Sequence, residues 1–273
     1  GGGAMAAAAA LRVFGRPSSS NTQKVLWMLA EVRQPFELTF ASARLGPGSQ
    51  YLVEHTGDVA FGVVGTADYK GMSPAKQIPT LVDGDLTIWE SHSIVRYLAQ
   101  KYGPEFHLGG ADGMARCSPW MDWVLASAFN MGCNHDLVDM LARTPPEKRD
   151  YKLAGQAHRG YIERFALVEE RLAQTGAYLA GDRFSVADIP VGAEVARWSC
   201  SLENWAREAA RGAAPAPPET PALPHTAAFF GRLQRRPAFW KGCLDSEREH
   251  HALPAAGAAG AAVRLFGGGG GER

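Results

Sequence analysis

The sequence predicts a mixed α/β domain followed by an all-α domain, an α/β plus all-α fold class resting on three observations. Over the first hundred residues, short apolar or alternating runs of strand length take turns with segments of helical periodicity. From about residue 113 only helix-length patterns recur. Between them, residues 103–112 hold Pro104 and three glycines and read as a linker. At 273 residues the chain is long enough for two domains, each with a core of its own.

The first domain is expected over 11–102. LRVF (11–14) is a short apolar run ending at Gly15, and Val25, Met28, Leu29 and Val32 then recur at helical spacing. In FELTF (36–40), Phe36, Leu38 and Phe40 alternate with polar residues, the pattern of a half-buried strand. Two parallel strands joined through a helix require a right-handed crossover, so these three elements form a βαβ unit. A long loop or insertion follows at 41–70, rich in glycine and without periodicity. PTLV and DLTIW then flank Asp83-Gly84, read as a two-residue hairpin turn, and Ile94, Tyr97, Leu98 and Tyr102 mark a helix that begins at Ser91.

The helical domain is expected over 113–245. Met121, Val124, Leu125 and Ala128, then Tyr161, Phe165, Val168 and Leu172, form apolar stripes of the width that bundle helices bury. Ala213 to Pro224 holds five prolines and breaks the helices. The ends, 1–10 and 246–273, are low in complexity and expected to be disordered, with His250 and His251 solvated.

Composition excludes several classes of function. The 28 basic and 28 acidic residues balance without a polybasic block, so neither nucleic acid nor an anionic membrane is an expected partner. No apolar run approaches the roughly 18 residues of a membrane span. Cys117, Cys133, Cys200 and Cys243 stand far apart, which argues against a disulfide scaffold, a zinc site or a dithiol centre. Cys133, His135 and Asp136 read as residues of a helical segment, and no metal is expected. Few residues separate Met5 from the first strand, so no targeting peptide is expected and the cytoplasm is the expected compartment.

Three short stretches could bind one ligand. PSSSNTQKVLW (17–27) places Ser18, Ser19 and Ser20 before a helix, where a single cap needs a single hydroxyl. A helix N-terminus favours a thiolate over a thiol, and a hydroxyl donating to the sulfur favours it further. Pro79 opens a strand after Ile78; with a cis bond there, Ile78 could pair its backbone with an extended peptide. Glu90-Ser91 begins the next helix, where free amides suit a carboxylate and the Glu90 side chain suits an ammonium. Together they describe a receptor for an extended peptide with a zwitterionic end and a thiol in its middle, which is the chemistry of glutathione.

These motifs resemble those of the cytosolic glutathione transferases over roughly residues 11–240. The serine stretch is similar to that of the phi and theta classes and of bacterial relatives. SPAKQIPTLVDGDLTIWESHSIVRYLA resembles the family's glutathione-binding segment, and GDRFSVADI (181–189) its buried capping box. The resemblance implies a thioredoxin-like N-terminal domain, a helical C-terminal domain and a homodimer. It implies Ser19 as the catalytic serine, with Ser20 the fallback and Asn21 contacting the sulfur. Gln77, Ile78, Glu90 and Ser91 would hold glutathione, with Pro79 the cis-proline, and Ser185 and Asp188 would cap a helix. The family has glycine where this chain has Lys76, and 43–57 looks like extra sequence. His55, Lys70 and Lys76 are the candidates for the glycyl carboxylate.

The expected activity is transfer of glutathione to a hydrophobic electrophile or a peroxide, with glutathione as co-substrate and no bound cofactor. Trp120, Trp123 and Phe129 are candidate walls of the electrophile pocket. Two alternatives remain: a glutathione-dependent disulfide reductase, and a non-catalytic module of the same fold that binds ligands or proteins.

Overall fold

The computed structural model describes residues 11–42, 64, 66–127 and 129–251. The tails at 1–10 and from 252 onward, most of the 41–70 connection and Ala128 lie outside the described residues.

The N-terminal half runs β1 (Leu11–Gly15), α1 (Ser20–Glu31), β2 (Phe36–Phe40), α2 (Ala67–Met72), β3 (Thr80–Asp83), β4 (Leu86–Trp89) and α3 (Ser91–Tyr102). Its four-stranded sheet has the order β2-β1-β3-β4, with β1 parallel to β2 and antiparallel to β3. This is the thioredoxin-like arrangement, with the expected βαβ unit at one side and the hairpin at the other. β2 is an edge strand, and Leu38, expected on a half-buried face, is 38% exposed.

The hairpin turn sits one residue later than expected. Asp83 is still paired with Leu86, so Gly84 and Asp85 make the turn, and Gly84 takes the positive φ of +58° that the turn demands. The displacement frees the Asp83 carboxylate to accept from Tyr97 Oη at 2.7 Å, Tyr102 Oη at 2.9 Å and Lys101 Nζ at 2.5 Å, tying the hairpin to α3.

The C-terminal half is helical. After a short 3₁₀ turn at Pro104–His107 come α4 (Gly110–Ala126) and α5, the run 129–143. α5 interleaves α-helical His135–Val138 with π-helical Phe129–Asn134 and Asp139–Arg143. α6 (Tyr151–Thr175), α7 (Asp188–Ala210) and α8 (Pro224–Gln234) follow, and a final run, α9 (237–250), ends in helical Asp245–His250. The capping residues ahead of α7 are as expected: Asp188 accepts from the Ser185 amide at 2.8 Å, and the Ala187 amide donates to Ser185 Oγ at 3.3 Å. Met121 and Val124 are buried in α4, but Leu125, at the margin of the stripe, is 43% exposed.

The tail expectation from 246 onward is overturned for its first residues. Glu247 is fully buried and His251 is 3% exposed, because α9 packs back across α1 and α7 rather than trailing into solvent. Among the described residues, no helix is long and apolar enough to cross a membrane.

α1 joins the two halves. Its Trp27 is fully buried, with the rings of Phe184 and Phe239 centred 5.6 and 4.7 Å away. Glu31, one turn on, accepts from Trp27 Nε1 at 2.8 Å and pairs through both oxygens with Arg236 at 2.7 Å. Gly242 of α9 allows this approach, since a β-carbon there would lie 2.3 Å from the Trp27 α-carbon. Neither backbone can yield without moving a helix. The expected consequence is that Gly242→Ala costs about 3 kcal/mol, read as a lowered urea midpoint; an unchanged midpoint would show that the helices are not in contact as described.

Candidate functional site

β1 delivers the chain from the centre of the sheet to the N-terminus of α1, and the three serines part company there. Ser18 Oγ accepts from Arg16 Nη1 at 2.5 Å. Ser20 is buried and its hydroxyl accepts from Asn134 Nδ2 at 3.4 Å. Ser19 occupies the N-cap position with extended backbone angles, yet its side chain makes no capping bond, and among the described residues its hydroxyl has no partner. It lines a cavity of about 640 Å³ instead. The first amides of α1 point the same way without intrahelical partners, and the helix adds its partial positive charge.

Opposite lies the segment before β3. The Ile78-Pro79 peptide bond is cis. The Gln77 carbonyl accepts from Tyr69 Oη at 2.8 Å and from Ser73 Oγ at 3.2 Å, so the short helix α2 fixes this segment from behind. Burial pushes the Tyr69 phenol up, which keeps it a hydrogen donor.

The third wall is the start of α3. Glu90 has φ of +71°, and such a conformation costs a residue with a β-carbon about 1–3 kcal/mol, typically where a site demands it. The Glu90 side chain is exposed and caps nothing. Ser91 is buried, and its hydroxyl has no partner among the described residues. Ser19, Ser20, Asn21, Gln77, Ile78, Pro79, Glu90 and Ser91 all line this one cavity.

Its remaining wall is basic. Arg16, Arg143 and Arg197 line the cavity although they are only 6%, 3% and 2% exposed. Arg143 and Arg197 both donate to the Ser18 carbonyl, at 3.3 and 2.8 Å. Arg143 pairs with Asp139 and Arg197 with Glu247, while Arg16 bonds the hydroxyls of Ser18 and Ser42. Burial, with the neighbouring guanidiniums of Arg143 and Arg197, depresses the Arg16 pKa well below its usual value. Burial works against the Arg197 charge too, but Glu247 and Glu194 raise its pKa. Below them, buried Lys24 sits 3.9 Å from Glu194 and donates to Asn21 Oδ1 at 3.1 Å.

Comparison with known proteins gives this arrangement a context. Residues 18–101 match the family described as "Glutathione S-transferase, N-terminal domain", and residues 138–237 match "Glutathione S-transferase, C-terminal domain". "Glutathione S-transferase GstB" of Escherichia coli is 32% identical over 184 residues, covering 66% of this chain and 79% of that protein. The chain belongs to the glutathione S-transferase family. "Glutathione S-transferase 3" of Zea mays is 27% identical over 235 residues, 85% of this chain and 93% of that one. A theta class glutathione S-transferase of Xanthomonas axonopodis pv. citri, solved with glutathione bound, superposes with a TM-score of 0.67 at 32% identity, covering 86% of this chain and 97% of its own.

Not every expectation for this transferase family member falls in the cavity. Trp120, Trp123 and Phe129 do not line it. They stack edge to face, 5.8 and 5.3 Å between centroids, and Phe129 continues into Tyr161 and Phe165 inside the bundle. Trp89 and Leu125 are the exposed apolar residues on the cavity wall. Lys70 and Lys76 are exposed and not among the lining residues, and His55 lies outside the described residues. Lys76, where the resemblance expects glycine, takes the left-handed φ of +54° at a cost of about 1 kcal/mol.

Among the described residues, no three His, Cys, Asp or Glu side chains converge as metal ligands. All four cysteines are buried, none lines the cavity, and burial pushes each thiol pKa up. The arginines escaped sequence reading because nothing in their local sequence sets them apart from surface arginines; Pro17 and the serines after Arg16 drew attention to the hydroxyls alone.

α9 completes the basic wall. Glu247 accepts from Gln23 at 2.6 Å and pairs with Arg197, while His251 lies 3.8 Å from Glu247 and within 3.3 Å of Ser201 Oγ. Burial pushes His251 down to about 4, against the pull of Glu247 and with help from Arg197, Arg143 and Arg149. An unfolded histidine takes up its proton near pH 6.5. Below that pH the unfolded chain binds a proton that the folded one refuses, so stability falls between pH 6.5 and 4. From pH 7 to 5 the wild type should lose about 2 kcal/mol more than His251→Gln, measured by urea unfolding at both pH values. Equal losses would mean that His251 titrates normally.

Proposed function

We propose that the protein transfers glutathione to electrophilic small molecules or peroxides, and that Ser19 stabilises the glutathione thiolate for the attack. The observation that carries the reading is the Ser19 hydroxyl, placed at the N-terminus of α1, facing the cavity and not used as a cap. Ser18 and Ser20 already have partners, which favours Ser19 over its neighbours. In the proposed complex the tripeptide lies extended along Gln77 and Ile78, and its γ-glutamyl end reaches Glu90 and Ser91. Its carboxylate would meet the Ser91 hydroxyl and the first amides of α3, and its ammonium the Glu90 side chain. Asn21, beside Ser19, would help hold the sulfur.

The chemistry follows from charge. A thiol of pKa about 8.5 needs its thiolate favoured by roughly two pH units, about 3 kcal/mol, to be ionised at neutrality. A hydroxyl donor, the positive end of α1 and the basic wall all act in that direction. The sulfur then attacks carbon, or the peroxide oxygen, and the leaving group departs into solvent. Glutathione enters as co-substrate, and the proposed reaction draws on no bound metal or organic cofactor. A cytoplasmic, detoxifying homodimer is the setting we propose by analogy with the family. A mixed disulfide with the protein's own thiol is disfavoured, because no cysteine lines the cavity.

The test is the ultraviolet absorbance of bound glutathione against pH, combined with two variants. The bound sulfur should ionise about two units below free glutathione, and Ser19→Ala should remove most of that shift and lower kcat about 100-fold. Ser20→Ala should act mainly on stability, since Ser20 is buried. Equal kinetic effects of the two changes would dismiss Ser19, and a bound thiol that ionises no earlier than the free one would dismiss the function.

A further inference from the structure

Four hydroxyl residues of this chain stand directly before a proline: Ser73, Ser118, Thr144 and Thr220. A protein kinase that reads the following proline takes its substrate as an extended chain with a free hydroxyl, so the fold decides which of the four is within reach. Ser73 is fully buried, and its hydroxyl donates to the Gln77 carbonyl at 3.2 Å. Ser118 is held in helical backbone inside α4. The Thr144 hydroxyl donates to the Asp139 carbonyl at 2.7 Å. Thr220 remains. It is partly exposed, and among the described residues its hydroxyl has no partner.

The segment that carries Thr220 joins α7 to α8 as a strap. Residues 215–223 have no regular secondary structure, and among the described residues no backbone-to-backbone hydrogen bond holds 214–222. Ala214, Ala216, Pro217, Thr220 and Leu223 each precede a proline, which disfavours the helical region and keeps the chain extended. The strap is pinned at both ends: Trp205 Nε1 donates to the Pro215 carbonyl at 2.8 Å, and Leu223 is buried. Between the pins Ala216, Glu219, Pro221 and Ala222 are exposed. A segment already extended and accessible can be modified without the local opening that a buried hydroxyl requires.

We propose that Thr220 is a phosphorylation site for a proline-directed protein kinase, and that Arg159 receives the phosphate. Arg159, on α6, is exposed and has no partner among the described residues. Its Nη1 and the Cγ of Pro218 lie 3.9 and 3.5 Å from the place that a β-carbon on Gly155 would take, which puts the guanidinium beside the strap, two residues from Thr220. In the transfer, Thr220 Oγ bonds to the γ-phosphorus of ATP as the bond to the bridging oxygen breaks. ADP leaves with the electron pair, and the hydroxyl proton passes to the base of the kinase. The product carries nearly two negative charges and three acceptor oxygens, which suit the flat donor fork of a guanidinium. Glu219, the adjacent residue, repels the new charge and turns it towards Arg159.

The test uses the full chain with magnesium, ATP and a purified mitogen-activated protein kinase, a proline-directed enzyme. Synthetic peptides spanning each of the four sites run alongside, and the modified positions are read by mass spectrometry. The rate at Thr220, divided by that of its own peptide, should exceed the same quotient for Ser73, Ser118 and Thr144 about tenfold or more, because those three must first open. Thr220→Ala should abolish the modification and Pro221→Ala should remove most of it. An unmodified Thr220 overturns the proposal, and so does a quotient no larger than that of Ser73. Phosphothreonine gives up its last proton near pH 6. Beside Arg159 it should do so about half a unit lower than in the peptide, read by phosphorus NMR, and Arg159→Gln should bring the two midpoints together. Equal midpoints in the wild type overturn the part given to Arg159.

Discussion

The Ser18 carbonyl is the point on which the site depends. A single backbone oxygen accepts from Arg143 and Arg197, so the turn that carries the serines is held by the helical domain rather than by its own. Without that grip, Pro17 and Ser19 would be an ordinary surface turn ahead of a helix. With it, the N-terminus of α1 faces a walled cavity, and the hydroxyl of Ser19 has no partner among the described residues. The same arginines therefore position the turn and set the electrostatics around it.

Charge ordering continues inward from that point. Glu247 bridges Gln23 and Arg197, Asn134 links Arg197 to Ser20 and Glu194, and Glu194 faces Lys24. Each buried ion has at least one partner of opposite sign or a hydrogen bond, as burial demands. Because the members come from α1, α5, α7 and α9, the network couples the two domains. It also makes the end of α9, which from residue 246 reads by composition as a disordered tail, a structural support of the cleft.

Much of the site was legible because it is made of local motifs. Ser19, Ile78-Pro79 and Glu90-Ser91 each sit where a strand or loop meets the next element, and the chemistry of a helix start or a strand start is written in two or three adjacent letters. The βαβ unit, the hairpin and the bundle helices were legible from period alone. What was not legible is what long-range packing decides. Arg143 and Arg197 reach Ser18 from 125 and 179 positions away. The turn residue was misjudged because Asp83-Gly84 and Gly84-Asp85 are equally good letters, and only the pairing of Asp83 with Leu86 chooses between them. Trp120 and Trp123 have the spacing of a pocket wall and of a core stripe alike, and their neighbours in the bundle decided for packing.

The placement of the four cysteines bears on how such a protein survives its own substrates. A catalyst that concentrates alkylating agents beside an activated sulfur risks modifying itself. Here all four cysteine sulfurs lie in the interior, away from the cleft, and burial favours their unreactive protonated form. In the proposed reaction the sacrificial nucleophile is thus the glutathione that arrives and departs with each turnover, and the polypeptide itself is spared.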